Sequence, residues 1–201
     1  NTTACVTAVQ EVMERSGYEV LVFHATGTGG RVMESLIETG LFAGVADVTT
    51  TEWADELVGG ILGAGPARLD ASARTGTPAI VTPGCLDMVN FGEPRTVPAQ
   101  LMTANVPATR ATKEFMYEPE KFQGRTFYRH NPQVTLMRTT PEECAELGRI
   151  LAEKVNASTG PVTVLLPLKG ISVISAEGQP FYDPAADQAL FDAIRRHLRS
   201  G

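Results

Sequence analysis

The chain has 201 residues, 43% of them hydrophobic, which is enough for one large globular domain or two small ones. Its net charge of −6 argues against nucleic-acid binding, because a nucleic-acid-binding face is usually basic. No apolar run approaches the roughly 18 residues of a membrane span, so we expect neither nucleic acid nor a membrane among its partners.

Strands and helices alternate along most of the chain. Short apolar runs flanked by turn residues predict strands at residues 20–23, 45–48, 79–82, 134–138 and 162–166. Amphipathic repeats between them predict helices that begin near Thr3, Gly30, Glu52, Pro66, Pro141 and Pro184. The best defined of these starts follows Thr140, where a capping box is combined with proline at the first helical position.

The segment from about 92 to 124 departs from this alternation. It contains four prolines and mixed charges, and only Ala111–Tyr117 has a helical pattern. A loop of this length in a compact domain is usually a lid, a binding loop or an interface arm. We therefore treat it as an irregular excursion from the fold.

The alternation as a whole predicts an α/β fold. Apolar strands between amphipathic helices are typical of an open, mainly parallel, Rossmann-like (doubly wound) sheet with helices on both faces. We expect residues 1–201 to form a single α/β domain. Because the pattern opens with a helix, we also expect at least one strand to lie outside the N-terminus, which would leave part of the sheet open.

The loop His24-Ala-Thr-Gly-Thr-Gly-Gly is the main candidate for a ligand site. It follows an apolar run and leads into a helix N-terminus, where free N–H groups and the helix dipole favour an anion. It matches neither the P-loop nor the dinucleotide-binding glycine pattern, and a tight turn is the alternative. We predict an anion site formed by Thr26, Gly27, Thr28, Gly29 and Gly30. Replacing Gly29 with valine should then abolish ligand binding at a near-native melting temperature.

Loops after the other predicted strands add further candidates, because ligands of open α/β sheets bind beyond the carboxyl ends of the strands. Thr50, Gly84 and Gly170 lie in such loops and offer hydroxyl or backbone N–H groups. Lys169 could neutralise a phosphate, although a solvated lysine is an equal alternative.

Three residues are candidates for charge stabilisation or proton transfer. Arg129 could clamp an anion and His130 could act as a general base, but both lie near an Asn-Pro turn and could be surface groups. Asp87 could exchange a proton or cap a turn.

The cysteines predict no metal site. Cys5, Cys85 and Cys144 are far apart and have no metal-binding spacing, which favours free thiols in a reducing cytoplasm. Cys85 lies in a glycine-rich loop, but the sequence shows no base beside it.

Five segments resemble an uncharacterised two-domain family of the UPF0261 type, which is related to the plant tobamovirus-resistance protein. They are HATGTGG with the sequence that follows it, TPGCLDMVNFG, FYRHNPQVTLMRTTPEE, LPLKGIS and GQPFYDP. The resemblance covers nearly the whole chain and places it in the second α/β half of a longer protein. It implies ATP as a ligand, with Mg²⁺ possible beside the nucleotide, and the N-terminal half of the same protein as a partner.

Two functions are consistent with these patterns. The leading hypothesis is a cytoplasmic domain that binds a nucleotide or phosphorylated metabolite; as an enzyme it would catalyse phosphoryl or acyl transfer on a small molecule. The alternative is a non-catalytic scaffold that binds another protein or its own copy, and we expect a homo-oligomer.

Overall fold

A computed structural model describes residues 2–93 and 124–199. Six α-helices in these ranges are α1 Thr3–Arg15, α2 Thr28–Ile37, α3 Glu52–Val58, α4 Asp70–Thr75, α5 Pro141–Asn156 and α6 Pro184–His197. Six strands are β1 Val45–Asp47, β2 Ala79–Val81, β3 Met88–Phe91, β4 Phe127–Asn131, β5 Val134–Arg138 and β6 Val162–Val164. The helix predicted at Ala111–Tyr117 and most of the excursion at 92–124 lie outside the described residues.

The predicted parallel sheet is present. Its strand order is β1-β2-β6, with Val45 paired to Ala79 and Ala79 paired to Val162. Ala79 and Val81 are buried in the main core together with side chains of α3, α5 and α6. The parallel sheet and the helices that cover this face confirm the α/β class.

A second sheet is antiparallel, with the order β3-β5-β4, and no sequence pattern predicted it as a separate unit. Val89 and Met137 face the main core, whereas Met88 and Leu136 pack with Phe181 in a smaller cluster. Because both faces are buried, β3 lacks the alternation of apolar and polar residues that usually reveals an antiparallel strand.

The hairpin between β4 and β5 explains the polar segment around Asn131. The turn at Pro132 and Gln133 confirms Asn-Pro as a turn signal, and the side chain of Asn131 accepts a hydrogen bond from Gln133 N–H at 2.8 Å. β4 was not predicted as a strand, because Arg129 and His130 are exposed, so the strand carries little apolar pattern.

The segment Val20–Phe23 is not in a sheet, so the strand predicted there is wrong within the described structure. Two of its side chains, Leu21 and Val22, are 50% and 56% exposed. Helix α1 buries none of its residues, although Val6 and Val9 are partly covered. The described part of the chain therefore buries few of the apolar side chains in these two segments.

One face of the parallel sheet is also uncovered, which differs from the expectation of helices on both faces. Ala46, Ile80 and Thr163 are register partners across β1, β2 and β6, and all three are exposed, Ile80 by 42%. Parallel sheets are normally buried on both faces. In the described residues, the helical layer covers only the opposite face.

The C-terminal helices confirm the capping signals in the sequence. Thr140 and Glu143 form the reciprocal capping box of α5, and the Asp183 side chain accepts N–H bonds from the first turn of α6. Leu147 and Leu151 of α5 and Leu190 and Ile194 of α6 are almost fully buried, since the two helices pack together. None of the described helices combines the length and the hydropathy needed to cross a membrane.

Candidate functional site at the carboxyl edge of the parallel sheet

The glycine loop enters α2 and holds an anion supplied by the protein itself. The N–H groups of Gly27 and Gly30 donate to Oε1 of Glu52 at 2.8 and 3.2 Å. Glu52 opens α3 just beyond the carboxyl end of β1 and is 1% exposed. The free N–H groups and dipole of the α2 N-terminus therefore stabilise a buried carboxylate.

Each of the three glycines in this loop is required for a different steric reason. Gly27 has φ +77, in the left-handed region that favours glycine. A Cβ atom at Gly29 would lie 1.9 Å from the carbonyl oxygen of His24, and one at Gly30 would lie 2.3 Å from Oε1 of Glu52. The expectation that Gly29→Val keeps a near-native melting temperature is therefore wrong, because the added atoms collide with backbone.

Arg68 holds Glu52 in place from the other side. Its Nε donates to Glu52 at 2.5 Å, and its terminal nitrogens donate to both oxygens of Asp47, at 2.5 and 2.8 Å. A further bond of 3.2 Å reaches Glu34 of α2. Burial alone would lower the pKa of this guanidinium, but the Asp47 and Glu52 carboxylates outweigh it and raise the pKa above its ordinary value.

Glu34 extends the network to the turn before α4. Its two carboxylate oxygens accept the N–H groups of Leu69 and Ala71 at 2.7 and 2.8 Å. Leu69 has φ +76, a strained conformation for a residue with a side chain. We call Glu34, Asp47, Glu52 and Arg68 the buried charge network; it ties β1, α2, α3 and the start of α4 together.

Asp55, one turn after Glu52, is a further buried acid. Its carboxylate accepts Asn90 N–H at 2.6 Å and the Asn90 side-chain amide at 2.8 Å. Burial raises the pKa of Asp55 to about 7, against the lowering effect of the Asn90 hydrogen bonds, and the charge of Glu52 raises it further.

The predicted residues Thr50 and Gly84 are brought together, where they join the ends of β1 and β2. Thr50 N–H donates to the carbonyl of Gly84 at 3.0 Å, and the Thr50 hydroxyl donates to the carbonyl of Thr82 at 2.9 Å. A Cβ at Gly84 would lie 2.1 Å from the carbonyl oxygen of Val48. This glycine thus permits close approach of two backbone segments.

Asp87 is completely buried at the end of the same loop. Its Oδ2 accepts a hydrogen bond from the Ser172 hydroxyl at 2.7 Å, while Oδ1 has no hydrogen-bond partner among the described residues. Burial raises the pKa of Asp87 to about 6, although the Ser172 hydrogen bond and the charge of Arg138 oppose the shift. The loops after β2 and β6 therefore meet at one buried carboxyl group.

Cys85 lies beside this carboxyl group but is not activated as a nucleophile. It is buried and adopts φ +61, and burial raises the pKa of its thiol to about 12. A thiol with this pKa is neutral at physiological pH. No disulfide forms: Cys5, Cys85 and Cys144 are all free, as the sequence analysis expected.

The remaining predicted residues do not join one cluster. Lys169 is exposed in the loop after β6, and Gly170 closes a turn there with φ +133. Arg129 pairs with Thr135, whereas Thr139 N–H donates to the carbonyl of Asp87. Four residues of β5 span about 13 Å, so Arg129 and His130 lie at the opposite end of the antiparallel sheet from Asp87.

Sequence reasoning missed the residues that hold the glycine loop. The sequence pattern puts Asp47 inside a strand and Glu52 at the junction of a strand-end loop and a helix, and neither position by itself indicates a contact with the glycine loop. Nothing in the sequence around Arg68 distinguishes it from an ordinary surface arginine. Ser172 lay in a loop that we had selected, but its bond to Asp87 depends on residues 85 positions apart.

The whole chain, residues 1–201, matches the model of the C-terminal domain of the uncharacterised protein family UPF0261. The chain belongs to this family.

Relatives occur in bacteria and in a plant. A UPF0261 protein of Clostridium tetani is 48% identical over 194 residues, which is 96% of this chain and 43% of the relative. A UPF0261 protein of Rhizobium meliloti is 49% identical over 193 residues, again 96% of this chain and 43% of the relative. The ToMV resistance protein Tm-1(GCR237) of Solanum lycopersicum is 44% identical over 199 residues, 99% of this chain and 24% of the relative. The chain thus spans less than half the length of these relatives.

Proposed function

We propose that this domain binds a nucleotide or a related phosphorylated metabolite at the carboxyl edge of its parallel sheet, in the cytoplasm. One observation supports the proposal: the glycine loop at this edge presents two converging N–H groups that bind a carboxylate. The Glu52 carboxylate already takes up the partial positive charge of this helix N-terminus, so an external phosphate would bind with the help of further donors in the neighbouring loops. ATP is the nucleotide that the family resemblance implies.

The phosphate group would bind beside the loop and not in place of Glu52. Arg68 fixes the Glu52 side chain, and both are buried, so exchanging this carboxylate for a phosphate would break the charge network. Two exposed groups near the same edge are the Thr28 side chain and the Lys169 ammonium. β1 and β6 are two strand spacings apart, about 10 Å, a distance that a nucleotide can bridge.

A reaction at this edge would be phosphoryl or acyl transfer, with Mg²⁺ beside the phosphates if the ligand is a nucleotide. Asp87 has a pKa of about 6, close to neutral pH, but its side chain is completely buried, so it would exchange a proton with a ligand only through the Ser172 hydroxyl. His130 and Arg129 are separated from Asp87 by the length of β5, so they would act only on a ligand that extends over the antiparallel sheet.

Calorimetric titration of the longer family protein with ATP, ADP and inorganic phosphate tests the proposal. We expect ATP to bind and Lys169→Ala to weaken binding by about tenfold, the value of one charge-assisted hydrogen bond. Arg196→Ala, which removes an exposed cation from α6, is the matched control and should leave affinity unchanged. Absence of binding by all three compounds, or equal affinity in the two variants, would contradict the proposal.

A second candidate function is a protein-interaction or homo-oligomerisation domain. The exposed row of Ala46, Ile80 and Thr163 on the parallel sheet favours it, since such a face is normally covered. The molar mass of the longer protein in solution, measured by light scattering, tests this function. A monomer at all concentrations would contradict homo-oligomerisation through this face.

A further inference from the structure

Strand β1 has one unused edge. It pairs with β2 along its whole length, from Val45 to Asp47, and with no other described strand. An unpaired strand edge presents a row of N–H and C=O groups that can bond to an added strand. In a parallel sheet such an edge is usually extended by a further strand or covered.

The segment 20–23 also lacks backbone hydrogen-bond partners. It is apolar and lies outside every described helix and strand, and none of its backbone groups forms a hydrogen bond within the described chain. Leu21 and Val22 are both about half exposed, although neighbouring residues of a strand point to opposite faces. A segment that is apolar on both faces is typical of an internal strand of a parallel sheet.

The position of Thr2 shows how the chain enters this region. The Thr2 hydroxyl lies 2.5 Å from the hydroxyl of Thr49, which is two residues beyond the end of β1. Thr2 therefore lies at the carboxyl edge of the parallel sheet. A strand that ends at this point runs in the same direction as β1.

We propose that the parallel sheet has an open strand position between β1 and the segment 20–23, and that an apolar strand preceding this domain in the longer family proteins fills it. The matched region is the C-terminal domain of the family and spans 43% of the two bacterial relatives, so sequence of suitable length precedes it. The added strand pairs with β1 on one side and with residues 20–23 on the other. Helix α1 then becomes the crossover between the added strand and the segment 20–23, the connection that parallel strands require.

Amide hydrogen exchange of the longer protein tests this inference without any substitution. We expect amides in the segments 20–23 and 45–47 to exchange on the order of 100-fold more slowly than an unstructured chain, as ladder hydrogen bonds require. Unprotected amides in residues 20–23 would overturn the proposal. Protection that disappears when an oligomer is diluted to monomers would also overturn it, because the strand would then come from a second copy.

A pair of exposed valines provides the matched variants. Val22 and Val173 are 56% and 62% exposed in the described domain. In the longer protein, Val22→Lys should remove the protection of residues 20–23 or prevent folding, whereas Val173→Lys should preserve both. Equal effects of the two variants would contradict a buried strand position at Val22.

Discussion

Two adjacent stretches of the chain show how differently similar sequence signals are used. The glycine loop at 24–30 is fixed by a buried carboxylate, through N–H bonds of 2.8 and 3.2 Å to Glu52. The segment 20–23 immediately before it is as apolar as a typical buried strand. Its backbone nevertheless forms no hydrogen bond within the described chain. A glycine-rich helix start therefore indicates an anion, but it does not tell whether the anion is a ligand or a glutamate of the same protein.

The largest expected effect comes from removing the cation of the buried charge network. Arg68→Met leaves Asp47, Glu52 and Glu34 without their guanidinium, and Arg68 is only 2% exposed. Breaking a buried pair by removing one partner typically costs about 3–5 kcal/mol. We expect a loss of this size in the free energy of unfolding, measured by denaturant titration.

An exposed ion pair of the same kind gives the control. Arg74 pairs with Glu38 between α4 and the end of α2, and both side chains are more than half exposed. Arg74→Met should cost less than about 1 kcal/mol. Similar losses for the two arginine variants would show that burial does not distinguish the two pairs.

A smaller effect is expected from a methyl group in the glycine loop. At Gly29 the new Cβ would collide with the backbone of His24, so Gly29→Ala should cost roughly 2–3 kcal/mol. Gly40, after the other end of α2, has φ +74 and open space around its Cβ position, so Gly40→Ala should cost only ~1 kcal/mol of backbone strain. Melting curves of the two variants compare them directly, and a milder effect at Gly29 would contradict the described loop.

The smallest expected effect is the contribution of Asp55 to the pH dependence of the free energy of unfolding. The folded pKa of Asp55 is raised to about 7, whereas an unfolded aspartate ionises near pH ~3.9. Protonated Asp55 thus favours the fold at low pH, and this contribution is lost as pH rises from about 4 through 7.

Asp55→Asn isolates this contribution. The free energy of unfolding of the wild type minus that of Asp55→Asn should decrease by at least about 1 kcal/mol between pH 4 and pH 7.5. Paired denaturant titrations at the two pH values measure the difference. An unchanged or rising difference would mean that the pKa of Asp55 is not raised in the folded protein.

Local signals in the sequence predicted much of the fold. The parallel strands 45–47, 79–81 and 162–164 and the starts of α3, α5 and α6 follow from apolar runs and capping residues. The prediction of a strand at 20–23 was wrong because a strand needs a partner strand. The periodicity of a sequence does not show whether such a partner is present. β3 and β4 were not predicted, because β3 is buried on both faces and β4 is exposed over its last three residues, so neither strand shows the alternation that reveals a strand.

The candidate site was less predictable for a related reason. Thr50 and Gly84 were placed correctly at one edge, since that position follows from strand ends alone. The partners of Gly30 and Asp87, by contrast, are Glu52 and Ser172, at separations of 22 and 85 residues. Contacts of this kind depend on the tertiary fold, and no spacing rule in a single sequence encodes them.

The central claim is that the glycine loop is built around the Glu52 carboxylate, and a double-mutant cycle between Gly30→Ala and Glu52→Ala tests it most directly. A Cβ at Gly30 would lie 2.3 Å from Oε1 of Glu52, so Gly30→Ala should be strongly destabilising in the wild type. In the Glu52→Ala background this collision is absent, and the same change should cost little, since alanine suits a helix. We expect a coupling energy of more than about 1 kcal/mol from denaturant unfolding. Additive effects of the two substitutions would contradict the claim.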